Sequence, residues 1–113
     1  MAETIFGKMV DGEIPVEKIY EDEHCIAIND INPQAPTHVL IIPRKPIPRL
    51  VDAGPDDQAL LGHLLLTAKK IAEQLGVDEA CNLFVNNGAD AGQTVFHLHV
   101  HLLGGRAMNW PPG

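Results

Sequence analysis

Two cysteines, Cys25 and Cys81, are all that the 113 residues hold, and they do not form a C-x-x-C pair. A disulfide framework is therefore not expected, and a reducing compartment is. Basic residues are few: 8 Lys and Arg stand against 15 Asp and Glu, for a formal net charge of −7. A duplex-binding surface needs clustered Lys and Arg, so no nucleic-acid partner is expected, although a small anion held by local dipoles is not excluded. No apolar run approaches the ~18 residues of a transmembrane helix, and no membrane partner is expected. Met1–Glu3 leads almost directly into domain-like sequence with no room for a signal or transit peptide, so the expected location is cytoplasmic, with nuclear access. Clustered carboxylates that could cage Mg²⁺ are missing, as are repeats, low-complexity tracts and linkers. With 45% apolar and 20% charged residues, one domain over residues 1–113 is the natural reading.

What the chain does have is histidine concentrated in one place. Residues 97–101 read His-Leu-His-Val-His, three of the six histidines at alternate positions in the apolar run Val95–Leu103. Strand side chains alternate faces, so His97, His99 and His101 are expected on one side. Phe96, Leu98, Val100 and Leu102 are expected on the other, anchoring the strand in a core. Imidazole, with an unperturbed pKa of ~6.5, can act as nucleophile, acid or base near neutrality. His24, in a charged turn, and His63, beside the apolar stripe of a helix, read instead as hydrogen-bonded or packing residues.

Thr4 can cap a short helix carrying Ile5, Phe6, Met9 and Val10, stopped by Gly12 and Pro15. Val16–Glu21 and Cys25–Asn29 read as strands, residues 30–36 as a proline-rich loop and His38–Pro43 as a buried strand. Leu60/Leu61, Leu64/Leu65, Ala68, Ile71/Ala72 and Leu75 recur at helical spacing and predict a long helix from about Asp56 to Leu75, ended by Gly76. Cys81–Asn86 is a strand, residues 87–93 a glycine-rich loop, and Thr94–Leu103 the histidine strand. Five mostly sequential strands with one long and one short helix predict an α+β fold on an antiparallel sheet.

Two chemistries suit the histidine row. One is a zinc site, with His38 or Cys25 as a further ligand. Against it, a strand rise of ~3.3 Å per residue puts the roots of His97 and His101 ~13 Å apart, a long reach for Zn–N bonds of ~2.1 Å. The other is displacement at phosphorus: a neutral imidazole attacks, forming a phosphoramidate intermediate, while donors hold the non-bridging oxygens. His99, flanked by an imidazole on each side, fits the nucleophile. The loop Gly88–Gly92 with Gln93 and Thr94 can offer amides and side-chain donors to phosphate.

The segment 92–106, Gly-Gln-Thr-Val-Phe-His-Leu-His-Val-His-Leu-Leu-Gly-Gly-Arg, resembles the histidine triad signature. The Gln before the triad and the Gly-Gly-Arg after it resemble the branch of histidine triad nucleotide-binding proteins. Thr4–Lys8, Asp30–His38 and Trp110–Gly113 match it too, so the resemblance runs along essentially the whole chain. It implies a homodimer of α+β subunits, each with a five-stranded antiparallel sheet, and no cofactor or metal. The implied activity is a purine nucleoside phosphoramidase, cleaving the P–N bond of adenosine or guanosine 5′-monophosphoramidates through a nucleotidyl-histidine. Alternatives within reach are a dinucleoside polyphosphate hydrolase and a zinc- or nucleotide-binding scaffold.

By the same resemblance, His99 is the nucleophile, His101 contacts the phosphate and bridging atom, and His97 and His38 orient and tune the nucleophile. Asp30 holds the ribose hydroxyls, and Asn86, Gln93 and Thr94 lie on the phosphate side. Phe6, Met9, Ile14, Ile28 and Ile31 wall the base pocket, with Ile28 where relatives often carry Phe. Trp110 reaches toward the partner subunit's site.

Overall fold

The computed structural model describes residues 4–112; Met1–Glu3 and Gly113, which entered the reading above, lie outside them. Helix α1, Ile5–Val10, starts where Thr4 Oγ1 accepts the Gly7 amide at 2.9 Å. Strand β1 is only Tyr20–Glu21, shorter than the expected Val16–Glu21. Strands β2, Cys25–Asn29, and β3, Thr37–Pro43, follow the predicted bounds closely. A 3₁₀ turn over Pro55–Asp57 precedes α2, Gln58–Gln74. Strand β4 is Cys81–Phe84 and β5 is Val100–Gly104. All pairings are antiparallel, in the order β1-β2-β3-β5-β4, so the predicted α+β sheet is present.

The strands alternate between two apolar layers. Cys25, Ala27, Val39, Ile41, Val100 and Leu102 meet Leu64, Ala68, Ile71 and Ala72 of α2. Ile26, Ile28, Leu40 and Ile42 meet Phe6 and Val10 of α1 on the other face. Both faces of β2 and β3 are therefore covered, which is why their sequences read as near-continuous apolar runs. Because α1 is one short helix, it covers only part of its face, and the uncovered remainder is where the histidines emerge. Among the described residues no helix is long and apolar enough to cross a membrane.

The histidine strand departs from expectation. Only residues 100–104 pair in the sheet; residues 95–99 bend across the chain that follows β3, with the Leu98 amide donating to the Ile47 carbonyl at 2.6 Å. The cause lies in β3. Ile41 pairs with Val100, but two residues on stands Pro43, which has no N–H to make a further rung. His97 consequently leaves the row expected of it, and Phe96, expected to anchor the core, is 42% exposed.

At its other end β5 is stopped by close packing: a Cβ on Gly104 would lie 2.8 Å from Val77 Cβ. Gly104→Ala should therefore lower the urea unfolding free energy by ~1–3 kcal/mol. In the double variant with Val77→Ala, a good part of that loss should return, as a thermodynamic cycle would measure.

Candidate active site

A cleft of about 300 Å³ opens on the α1 face of the sheet. Phe6 and Met9 of α1, Ile28 of β2, Asp30 and Ile31 of the loop after β2, Leu40 of β3, Asn86, Thr94, His99 and His101 all reach it. Its walls combine apolar side chains with a carboxylate, an amide, a hydroxyl and two imidazoles. A larger hollow, about 640 Å³, lies between β4 and the tail that holds Trp110, with no histidine on its walls.

The proton positions in the imidazoles follow from their backbone partners. His99 Nδ1 lies 2.8 Å from the His97 carbonyl oxygen. A carbonyl can only accept, so Nδ1 carries the hydrogen and the Nε2 of neutral His99 keeps its lone pair. His38 Nδ1 lies 3.1 Å from the Gln34 amide nitrogen, which can only donate. His38 must therefore be protonated on Nε2, and that proton is donated across 3.0 Å to His101 Nδ1. His101 in turn holds its own hydrogen on Nε2, a buried atom with no hydrogen-bond partner among the described residues. The result is one free lone pair, on His99, beside one free donor, on His101, with ring centroids 5.0 Å apart.

Burial keeps these rings neutral. It lowers the pKa of His38, His97 and His99 from the ordinary value. His101 is pushed down to about 4, by burial first and then by His99 and His38 beside it. Aromatic rings hold two of the imidazoles in plane: Phe84 stacks on His101 at 4.3 Å, and Phe6 meets His99 edge-on at 4.9 Å.

Several of the residues singled out in the sequence lie elsewhere. His38 stands behind His101 rather than in the cleft. The ring of His97 donates from Nε2 to the Pro43 carbonyl at 2.7 Å, and its contribution to the site is its backbone oxygen. Gln93 does not offer its amide to the cleft, because that amide is fully engaged. Its Oε1 accepts from Gly88, and its Nε2 donates to the Pro48 and Val95 carbonyls. Ile14 is carried away by the turn after α1, where the Glu13 amide bonds back to the Lys8 carbonyl. Trp110, expected at a partner subunit's site, is 88% exposed and lines the larger hollow of its own subunit.

Phe84, the Gln34 amide and the Pro43 carbonyl went unread. Two of these are backbone groups, which leave no mark on residue identity. Phe84 matters only because it pairs with His101 across β4 and β5.

Among the described residues, two side-chain groups have metal-ligand chemistry. Asp30, His38 and His101 place donor atoms within 4.8 Å of one another, and the proton shared by the two histidines now fills that gap. Asp22, Cys25 and His63 do the same on the α2 side. There Asp22 already accepts from the amides of His24 and Cys25, from Tyr20 Oη and from His63 Nε2. Burial, then the Asp22 charge, pushes the Cys25 thiol up to about 11, so this group works as a latch between the β1–β2 turn and α2. Cys25 is thus separated by the sheet from the histidines it was considered to join.

Comparison with known proteins agrees with this geometry. The HIT domain profile matches residues 11–108. An uncharacterized HIT-like protein of Synechocystis is 60% identical over the full length of both chains. A HIT family hydrolase from Legionella pneumophila superposes with a TM-score of 0.95 at 47% identity, over 98% of this chain and 100% of that one. A histidine triad nucleotide-binding protein from Candida albicans gives 0.81 at 35% identity, over 98% and 85%. The chain belongs to the HIT domain family.

Four histidines with lowered pKa values make stability depend on pH in a definite direction. Below the unfolded value of ~6.5 the unfolded chain binds protons that the native rings refuse, so stability falls as pH falls. The decline should begin near pH 6.5 and, for His101, continue to about 4. Urea midpoints measured from pH 7.5 to 4.5 should decrease steadily, and less steeply in His101→Asn.

Proposed function

We propose that this chain hydrolyses purine nucleoside 5′-monophosphoramidates, releasing the nucleoside monophosphate and an amine. The observation that carries the reading is the fixed pair of tautomers, an unprotonated His99 Nε2 beside a protonated His101 Nε2. The naming of relatives as a hydrolase and as a nucleotide-binding protein supports the same class.

The base lies against Phe6, Met9, Ile28 and Ile31, the Asp30 carboxylate accepts from the ribose hydroxyls, and Asn86 and Thr94 face the phosphate. His99 Nε2 attacks phosphorus while the P–N bond breaks, its electron pair leaving on nitrogen. His101 Nε2–H hydrogen-bonds to that nitrogen as its lone pair develops, and a solvent proton completes the amine. Water then attacks the nucleotidyl-histidine, giving the monophosphate and restoring the His99 lone pair. As the bond to phosphorus forms, charge develops on the His99 ring, and the His97 carbonyl at Nδ1–H stabilises it. No step calls for a metal ion.

A second copy of the chain is the proposed partner. Strand β4 is a sheet edge, and its Leu83 and Phe84 are 42% and 40% exposed, a surface that a lone subunit leaves open to pairing. Trp110, standing clear of its own cleft, fits a residue that completes the site of the other subunit.

His99→Ala should lower the rate of amine release from an adenosine phosphoramidate by ~10⁴-fold or more, and His101→Ala by ~10²–10⁴-fold. Stopped-assay chromatography of the nucleotide product measures both. Full activity in His99→Ala overturns the assignment. Excess chelator should leave the wild-type rate unchanged; loss of activity would restore the zinc alternative. Faster turnover of a diadenosine polyphosphate than of the phosphoramidate would move the chain to the other substrate class.

A further inference from the structure

The turn after β5 touches the loop over residues 30–36 in two ways that the reaction above does not use. Gly105 has φ +89°, and a Cβ there would lie 2.9 Å from Pro36 Cβ, so the turn and the loop meet only because residue 105 is glycine. One residue on, Arg106 Nε donates to the Gln34 carbonyl oxygen at 3.1 Å, while its Nη1 donates to the Ala107 carbonyl at 3.0 Å. Gln34 is the residue whose amide donates to His38 Nδ1.

We propose that Arg106 is a positioning residue that sets the proton on His101 from outside the cleft. Its guanidinium fixes Gln34, the Gln34 amide claims His38 Nδ1, the His38 proton stays on Nε2, and His101 keeps its own on Nε2, the atom assigned above to the leaving nitrogen. If Gln34 moves away, His38 is free to take its proton on Nδ1. Its Nε2 then accepts, His101 protonates Nδ1, and a bare lone pair faces the departing nitrogen where a donor is wanted. Asp30 Oδ2, 3.5 Å from His38 Nε2, opposes that change, so the loss is graded rather than total. The motif Gly-Gly-Arg acquires a reason: the glycine admits Pro36, and the arginine holds the carbonyl two residues before it.

The inference rests on the reading of His101 as donor to the leaving nitrogen, and two measurements separate them. The first is the ring tautomer, read from long-range ¹H–¹⁵N correlations of ¹⁵N-histidine protein without substrate. Wild type should show Nε2–H at both His38 and His101, and Arg106→Ala a mixture at both, with Arg106→Lys in between. The second is the single-turnover rate at saturating substrate for two adenosine phosphoramidates, one releasing an aromatic amine and one a more basic alkylamine. Arg106→Ala should lose about tenfold on the alkylamine compound, the scale of one net hydrogen bond, and little on the other, with KM nearly constant.

Unchanged tautomers in Arg106→Ala overturn the proposal, as does an equal loss on both substrates. Should the alanine variant fail to fold by near-ultraviolet circular dichroism, Arg106→Lys carries the same two tests, and wild-type behaviour in both overturns it. A wild-type protein that hydrolyses neither compound refutes the phosphoramidase reading instead, while the tautomer comparison still decides whether Arg106 controls His101.

Discussion

A backbone carbonyl only accepts a hydrogen bond and a backbone amide only donates one, and that asymmetry gives the cleft its chemistry. Neutral imidazole has no preferred function until one of its nitrogens is claimed. Here the His97 carbonyl claims a proton on His99, and the Gln34 amide claims a lone pair on His38. Swapping the His99 tautomer would leave two lone pairs facing each other and a buried carbonyl unpaired, at a cost of about 1–3 kcal/mol. That corresponds to a ratio of roughly 5 to 150 in favour of the reactive form. Burial does the remaining work by keeping the rings uncharged, since a protonated His99 has no lone pair to offer.

The histidine segment bends away from β3 over the residues that make the His97–His99 contact. Had residues 97–99 continued as a strand beside β3, Leu98 would have stood opposite Pro43 in the ladder; instead its amide donates to the Ile47 carbonyl. Pro43 prevents that continuation. It supplies no N–H for another rung, and its own carbonyl accepts from the His97 ring. One proline in β3 thus ends the ladder and holds His97 by its ring, while the His97 oxygen accepts from His99. From Val100 on the ladder resumes, and His101 is placed by ordinary strand register opposite Leu40 and Phe84.

Much of the fold was legible because apolar periodicity reports burial directly. The stripe of α2 and the runs of β2 and β3 could be read to within a residue or two, and Thr4 marked the start of α1. The site was legible in residue types more than in positions. His99, His101, Asp30, Asn86 and Thr94 do converge, because they carry polar groups that an apolar layer has no use for. Gln93 is read from sequence as a donor to the phosphate, whereas it braces a loop; His97, read as orienting the nucleophile, meets His99 through its backbone rather than its ring. A side-chain amide names no partner; three carbonyl and amide groups brought together by the fold decide where Gln93 points. Strand register hides Phe84 in the same way, since which residue stacks on His101 depends on how β4 aligns with β5.

Tautomer control has a second requirement, which is that the rings do not turn. Rotating an imidazole by half a turn about its last torsion exchanges nitrogen for carbon and undoes every assignment made by the backbone. The hydrogen bonds at Nδ1 resist that rotation, each with a net value of about 0.5–1.5 kcal/mol. Aromatic contacts of the kind made by Phe84 with His101 and Phe6 with His99 contribute a similar amount, about 0.5–1.5 kcal/mol each. Since neither force dominates, the orientation of each ring depends on both. The apolar walls are therefore part of the proton arrangement rather than a passive surround, and α1 and β4, which bring no acid, base or nucleophile to the cleft, bear on the reactivity of the histidines as directly as the polar loops do.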